Sequence, residues 1–327
     1  MELLISGYGA KGEQTIVKCN AYGEVVWSDT IESPSFAAAS GDRMFAVTEN
    51  DDYAWIHSYL KDGEGYRLVD SARFDGTDLC HVCYCEKYNM VFGACWGSGH
   101  LLYAKLDAEG KFVKTASILQ ENETGDASLI SRVHFVGVNK AEDTLMVNNV
   151  GLDIIYFYSI SDGEIVEKDR IYTERGQHPR HSVWNHDESL LYVITELSNE
   201  VLVYQMPQKK LVQKISTLPE GFVGKSHCSA ICISPDEKTV YGANRYSESI
   251  VCFGADENGL LHEKLRVPAD GEKPRHMILT KDGRHLVVCY QTTGEVCIMP
   301  LDECGLPIEG KAHKFAFPNA ACAVDLS

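Results

Sequence analysis

From Pro179 to Asn199 the chain reads PRHSVWNHDESLLYVITELSN. Arg180, His181 and Glu196 stand at the ends of apolar runs that need no charge to fold. Elsewhere Arg245 closes the run TVYGANR, His227 opens HCSAICIS, and Arg132 and His134 precede FVGV. A carboxylate or an imidazole at such a position can take a proton from water. A guanidinium can hold a carboxylate or phosphate through two parallel hydrogen bonds and polarise a carbonyl. The same residue types can also pair with one another and serve only the structure. Which applies depends on whether the fold brings them to one place.

The elements that would position them are strands. Helical periodicity is almost absent, whereas runs such as RMFAVTE, NMVFGACW, DIIYFYSI, LLYVITE, EVLVYQM, TVYGANR, SIVCFGA and HLVVCYQ recur between Gly, Asp, Asn and Glu clusters. Aligning the second strand of each unit by its apolar core makes its last residue Glu49, Trp96, Val150, Glu196, Arg245 and Gln291. The successive spacings are 47, 54, 46, 49 and 46. A period of that length with four short strands per unit is that of a propeller blade. Six units are visible. FAFPNAACAVDLS near the C-terminus and the runs MELLISGYG, QTIVKCN and GEVVWSD supply a seventh. The expected fold is therefore all-β: a seven-bladed β-propeller of four-stranded antiparallel blades, the last closed by both termini. Residues 1–327 read as a single domain.

In an antiparallel blade the start of the first strand and the end of the second lie on one side. Arg180 and Glu196 should thus share a face with Arg245 of the following blade, near the mouth of the central channel, where propellers bind small ligands. His181, His134, Arg132, His227, Glu49 and Gln291 hold comparable places in their blades. A second PRH triplet puts Arg275 95 residues after Arg180, where it reads as a turn that opens a blade. His186, in the turn NHDES, belongs at the opposite side.

The net charge of −17 repels nucleic acid and anionic lipid, so neither is expected as a partner. An anionic substrate would need a local cluster of Arg or Lys to overcome that field. The N-terminal MELLISGYGAKGE is neither a signal nor a transit peptide, and no apolar run nears the roughly 18 residues of a membrane helix. A cytoplasmic protein is expected, monomeric or weakly homo-oligomeric. Of twelve cysteines, Cys252, Cys289 and Cys297 sit in apolar strands, as reduced thiols do. Cys80, His81, Cys83 and Cys85 lack a second paired knuckle and read as packed core, so no metal and no cofactor is expected.

The chain resembles the lactonase-type seven-bladed propellers, a family that includes bacterial 6-phosphogluconolactonase and fungal carboxy-muconate cyclases. The resemblance rests on GQHPRHSVWNHDESLLYVITELSNEVLVYQ, on SAICISPDEKTVYGANRYSESIVCF, on DGEKPRHMILTKDGRHLVVCYQTTGEVCIMPLDECGLP and on NNVGLDIIYFY. It implies a site of His134, Arg180, Glu196 and Arg245 that needs no metal. Three positions depart from the family pattern: Arg132 stands where a His is usual, Asn149 replaces an Asp, and Thr195 replaces the Asn before Glu196. The implied activity is hydrolysis of a small anionic sugar-acid lactone. Glu196 or His134 would accept the proton of water, and Arg245 and Arg180 would hold the anion and polarise the carbonyl. His181, Arg132 and His227 would complete substrate binding. The alternatives are a lactone-forming cyclase, or a propeller that binds an anion or a protein without turnover. Replacing Glu196 by Gln together with Arg245 by Ala is expected to abolish lactone opening at near wild-type thermal stability.

Overall fold

The computed structural model describes residues 1–327. It contains twenty-eight strands in seven four-stranded sheets, which is the seven-bladed all-β propeller expected from the repeat. Six sheets run in chain order. The seventh is ordered Ala320–Asp325, Glu2–Gly7, Ile16–Asn20, Val25–Asp29, so both chain ends lie in one blade. Pairing the C-terminal strand to the N-terminal one removes two free strand edges at once. No helix is long and apolar enough to cross a membrane.

The strands fold as they do because their inner members are apolar on both faces. Leu191, Val193 and Ile194 are fully buried, as are Val201, Leu202 and Val203 on the strand they pair with. Each such side chain contributes about 1.5–3 kcal/mol by leaving water. The fourth strand of each blade is polar and half-exposed, as in Lys210–Ser216. Tight turns join the strands, with Asn199 and Glu237 held at φ of 54° and 60°.

The chain gathers into two compact units. One comprises Met1–Ile5, Asn20–Glu24 and Pro179–Ser327, the other Ser6–Cys19 and Val25–His178. In the first unit, Tyr192, Ile194, Val201 and Val203 pack against Cys228, Val240, Val251 and Phe253 of the next sheet. In the second, Phe92, Leu101 and Met90 pack against Val133, Val147 and Ile154. All twelve cysteines are free thiols, and Cys252, Cys289 and Cys297 are buried. The Cys80 thiol donates to the carbonyls of Ala94 and His134 at 3.5 and 3.6 Å. His81 lies between Phe36 and Phe135, with ring centroids 3.9 and 4.6 Å away.

Candidate active site

Two local devices aim the polar strand ends. The first is a β-bulge. Pro179 pairs with Thr195 and His181 with Ile194, so Arg180 is the extra residue between them. The same shift makes His134 the extra residue between Val133 and Phe135. A bulge breaks the alternation of side chains and re-aims the inserted one, which is why bulges gather beside functional sites. The second device is a hydrogen-bonding side chain that locks the hairpin one residue before the functional position. Thr195 Oγ1 accepts from the Glu200 amide at 3.0 Å and donates to its carbonyl at 3.0 Å. Asn244 donates to Thr217 O and Ser249 Oγ at 3.0 and 3.1 Å and accepts from Thr217 Oγ1 at 2.8 Å. Glu196 and Arg245 follow these locks directly.

In the first unit the structure brings Arg180, Glu196, Arg245 and His227 together. Arg245 Nη2 donates to Glu196 Oε1 at 2.7 Å and to Cys228 O at 3.0 Å. Arg180 Nε lies 3.6 Å from the other carboxylate oxygen, and His227 Nδ1 lies 3.7 Å from Oε1. The side chains of Arg180, Arg245, Glu196 and His227 are 2, 11, 18 and 26 % exposed. Accessibility therefore rises from the buried Arg180 outward to His227. Burial alone would raise the Glu196 carboxyl. The charges of Arg180 and Arg245, the Arg245 hydrogen bond and His227 outweigh it, and its pKa falls below the usual carboxylate value. Glu196 is ionised at neutral pH.

Arg180 is fixed from behind. Its Nη1 donates to the Ser229 carbonyl and to His181 Nε2, the latter at 3.2 Å. Arginine only donates, so in this contact the imidazole nitrogen is the acceptor. The Ser229 hydroxyl in turn donates to the Pro274 carbonyl, with the Ala243 carbonyl 3.3 Å from the same oxygen. His276 stands 6.4 Å from the His181 ring and accepts from the Ala323 amide at 3.2 Å. Burial, with Arg180 and Arg275 nearby, lowers its pKa to about 3.

His134 and Arg132 belong to the second unit. His134 is buried, at 6 % exposure. Arg132 lies over the Trp96 ring, 4.0 Å from its centroid, and donates to Trp96 O at 3.4 Å. Asn149 accepts from the amides of Arg132 and Leu152 at 2.9 and 3.1 Å, and donates to Gln120 and Ser131 at 2.9 and 2.8 Å. An ionised Asp could make only the accepting half of that set. The departure from the family pattern at this position thus builds a strand junction. Glu49 accepts from the Tyr8 hydroxyl at 2.9 Å, and the Gln291 backbone amide donates to Lys273 O at 3.0 Å. His186 lies in the turn between two strands, its amide bonded to Glu237.

Sequence reasoning missed the carbonyls of Ser229 and Cys228 as partners of the two arginines. Nothing in a sequence marks a carbonyl as a ligand, because every residue has one. It also missed the bulges, which appear only once strands are paired. Two cavities, of about 670 and 590 Å³, lie away from the carboxylate. The larger is lined by Tyr192, Met206, Asp236, Asp256 and Gly259, and the smaller by Val267, Met299 and Ile308. Neither includes Glu196, Arg180, Arg245 or His227 in its lining.

Comparison with known proteins follows the same lines. Residues 3–324 match the family model described as lactonase, 7-bladed beta-propeller. A 6-phosphogluconolactonase of Bacillus subtilis (strain 168) is 25% identical over 293 residues, 84% of each chain. Among solved structures, a protein from Lactobacillus plantarum superimposes with a TM-score of 0.88 at 22% identity, over 99% of both chains. The periplasmic gluconolactonase of Pseudomonas aeruginosa gives 0.87 at 20% identity, over 99% of this chain and 98% of the other. At those identities the structural likeness speaks for the fold.

Proposed function

The chain belongs to the lactonase seven-bladed β-propeller family, and on that premise we propose that it hydrolyses a sugar-acid lactone, with Glu196 and Arg245 at the reacting bond. The observation that carries this reading is an ionised carboxylate held between two guanidinium groups at strand ends, with an imidazole beside it. The 6-phosphogluconolactonase of Bacillus subtilis, 25% identical, supports a lactone of that kind as substrate.

In this proposal each group has one task. Glu196 accepts a proton from water as the water oxygen adds to the acyl carbon. Arg245 polarises the carbonyl oxygen and stabilises its developing charge. The ring C–O bond then breaks, and the proton passes to the departing oxygen. Arg180 is too buried to hold substrate and instead positions Glu196, a change from the anion-holding role the resemblance implies for it. His227, the most accessible of the four, meets the polar groups of the lactone. A depressed carboxyl pKa makes Glu196 a weak base. Sugar lactones open readily without help, so a weak base suffices for a useful rate.

The test follows acid release from 6-phosphoglucono-δ-lactone and from glucono-δ-lactone against the spontaneous rate. Catalysed opening of either supports the proposal, and a rate equal to buffer at micromolar protein refutes it. One observation favours a second reading, ligand binding without turnover: both oxygens of Glu196 already face arginines. Under it the acid products bind and no lactone opens faster than in buffer.

A further inference from the structure

A chain of net charge −17 repels an anionic lactone at long range. Some part of the molecule must reverse that field if such a lactone is the substrate. Arg180 is 2 % exposed, and Arg245 has Nη2 committed to Glu196 and Cys228. Arg180 is out of reach of a phosphate, and Arg245 is taken up by Glu196, Cys228 and the lactone carbonyl it polarises.

Immediately outward of them stands Tyr246, the residue after Arg245. Its ring meets His227 edge-on at 5.2 Å, and His227 is the imidazole beside Glu196. The ammonium of Lys225 lies over the same ring, 3.9 Å from its centroid, and that of Lys273 lies 5.9 Å from it. Lys225, Lys273 and Tyr246 come from three separate segments of the chain. Tyr246 is 40 % exposed and holds φ at 71°, a left-handed conformation that is costly for a bulky side chain. The corresponding hairpin Glu196–Glu200 has only Asn199 there, so the turn itself does not demand it. Residues keep such conformations where their surroundings over-determine them, and they cluster at ligand clamps. One carboxylate is close by: Glu248 accepts from the amides of Tyr246 and Lys273, both at 2.9 Å. Linked in turn through Tyr246, His227 and Glu196 are thus four cations, Arg180, Arg245, Lys225 and Lys273, against two carboxylates, Glu196 and Glu248. The local balance is positive inside an acidic protein.

We infer that Lys225, packed on the Tyr246 ring, and Lys273, at the margin of that ring, form a subsite for a phosphomonoester dianion, and that this subsite selects a phosphorylated sugar lactone over its neutral analogue. The inference rests on the lactonase reading for its substrate and names the part of that substrate the lysines hold. Lysine suits the task. It is a compact point charge that can meet a mobile phosphate from several directions, whereas a guanidinium imposes one plane. The aromatic ring attracts Lys225 closely, at 3.9 Å, and Lys273 more loosely, at 5.9 Å, without neutralising either one. His227 then links the subsite to the carboxylate at the reacting end.

The experiment measures kcat and KM for both lactones with the wild type and with the Lys225→Ala, Lys273→Ala and double variants. Calorimetric titration with 6-phosphogluconate, gluconate and inorganic phosphate gives a readout that needs no turnover. For the double variant, KM for the phosphorylated lactone should rise about tenfold or more, the size of one lost charge-assisted contact, with kcat within about threefold. Its KM for the neutral lactone should not change. Wild-type KM for the phosphorylated lactone should rise with salt, because exposed charges are screened. Glu248→Gln should tighten 6-phosphogluconate. An equal change in KM for both lactones would mark the lysines as structural and overturn the inference, as would no change for either. If no lactone turns over, the lactonase reading fails on its own; the subsite then stands if the double variant loses 6-phosphogluconate binding and falls if the wild type binds gluconate as tightly. Inorganic phosphate binding that survives in the double variant would place the anion elsewhere and also overturn it.

Discussion

Replacing Glu196 by Gln removes one charge and keeps the shape of the side chain. Glu196 compensates Arg180, which is 2 % exposed, and Arg245, which is 11 % exposed. Breaking a buried ion pair by removing one partner costs about 3–5 kcal/mol, because the surviving charge stays buried and uncompensated. Gln keeps one accepting oxygen, and the position is 18 % exposed, so a loss near about 3 kcal/mol is expected. With an unfolding entropy of about 2.1 cal/mol/K per residue, a chain of 327 residues then melts about 4 °C lower. The near wild-type stability that the sequence suggests for Glu196→Gln combined with Arg245→Ala is likewise replaced by an expected loss, because Arg180 stays buried without a carboxylate partner in that double change too. Replacing Arg180 and Glu196 together by Met should cost less than the two single changes added, since Arg180 no longer stays behind as a buried charge and only Arg245 loses its carboxylate. Activity should fall about 10²–10⁴-fold in the Gln variant, the usual worth of a general base. Denaturant titration and the lactone assay on the same preparations check both halves. Turnover within twofold of wild type would refute the base assignment. Stability within about 0.5 kcal/mol of wild type would refute the buried-pair argument.

Two further outcomes follow from the titrating groups. His57 and His276 have pKa values lowered by burial to about 4 and about 3. The unfolded chain therefore binds more protons as pH falls through 6.5, and the folded state should lose roughly 1.4 kcal/mol per pH unit for each histidine until the folded pKa is reached. Glu196, whose folded pKa is depressed, adds stability above the ordinary carboxylate pKa that is lost only as pH falls through the lower folded value. Denaturant midpoints between pH 7 and 4 check this, and a flat profile in that window would contradict the burial of the two imidazoles. Thiol labelling under native conditions should be led by Cys304, the exposed cysteine. Cys228, whose thiol burial pushes up to about 12, should react only after unfolding; rapid native labelling of Cys228 would mean the core beneath Glu196 opens.

The blade count and the strand ends were legible in the sequence because a propeller repeats its physics. Each unit must bury both faces of its inner strands, so apolar runs recur at nearly fixed spacing, and a polar residue at the end of such a run stands out. That logic placed Arg180 at the start of one strand, Glu196 just after its neighbour and Arg245 in the following sheet. The same logic could not give side-chain direction at a bulge. Arg180 looks like an ordinary strand residue in PRHSVW, yet pairing inserts it as the extra residue and turns it into a buried ion pair.

Fold, available chemistry and the rough address of each polar group can all be read along the chain, since local pattern and repeat length are properties of the chain. Which groups share a charge is set by how the sheets pack. Arg180 became a buried support because the Ser229 carbonyl and His181 meet its far side. Tyr246 became a platform for Lys225 and Lys273 because three loops converge on its ring. Burial and ion pairing depend on distances between residues far apart in the chain, and those distances exist only after the sheets have packed.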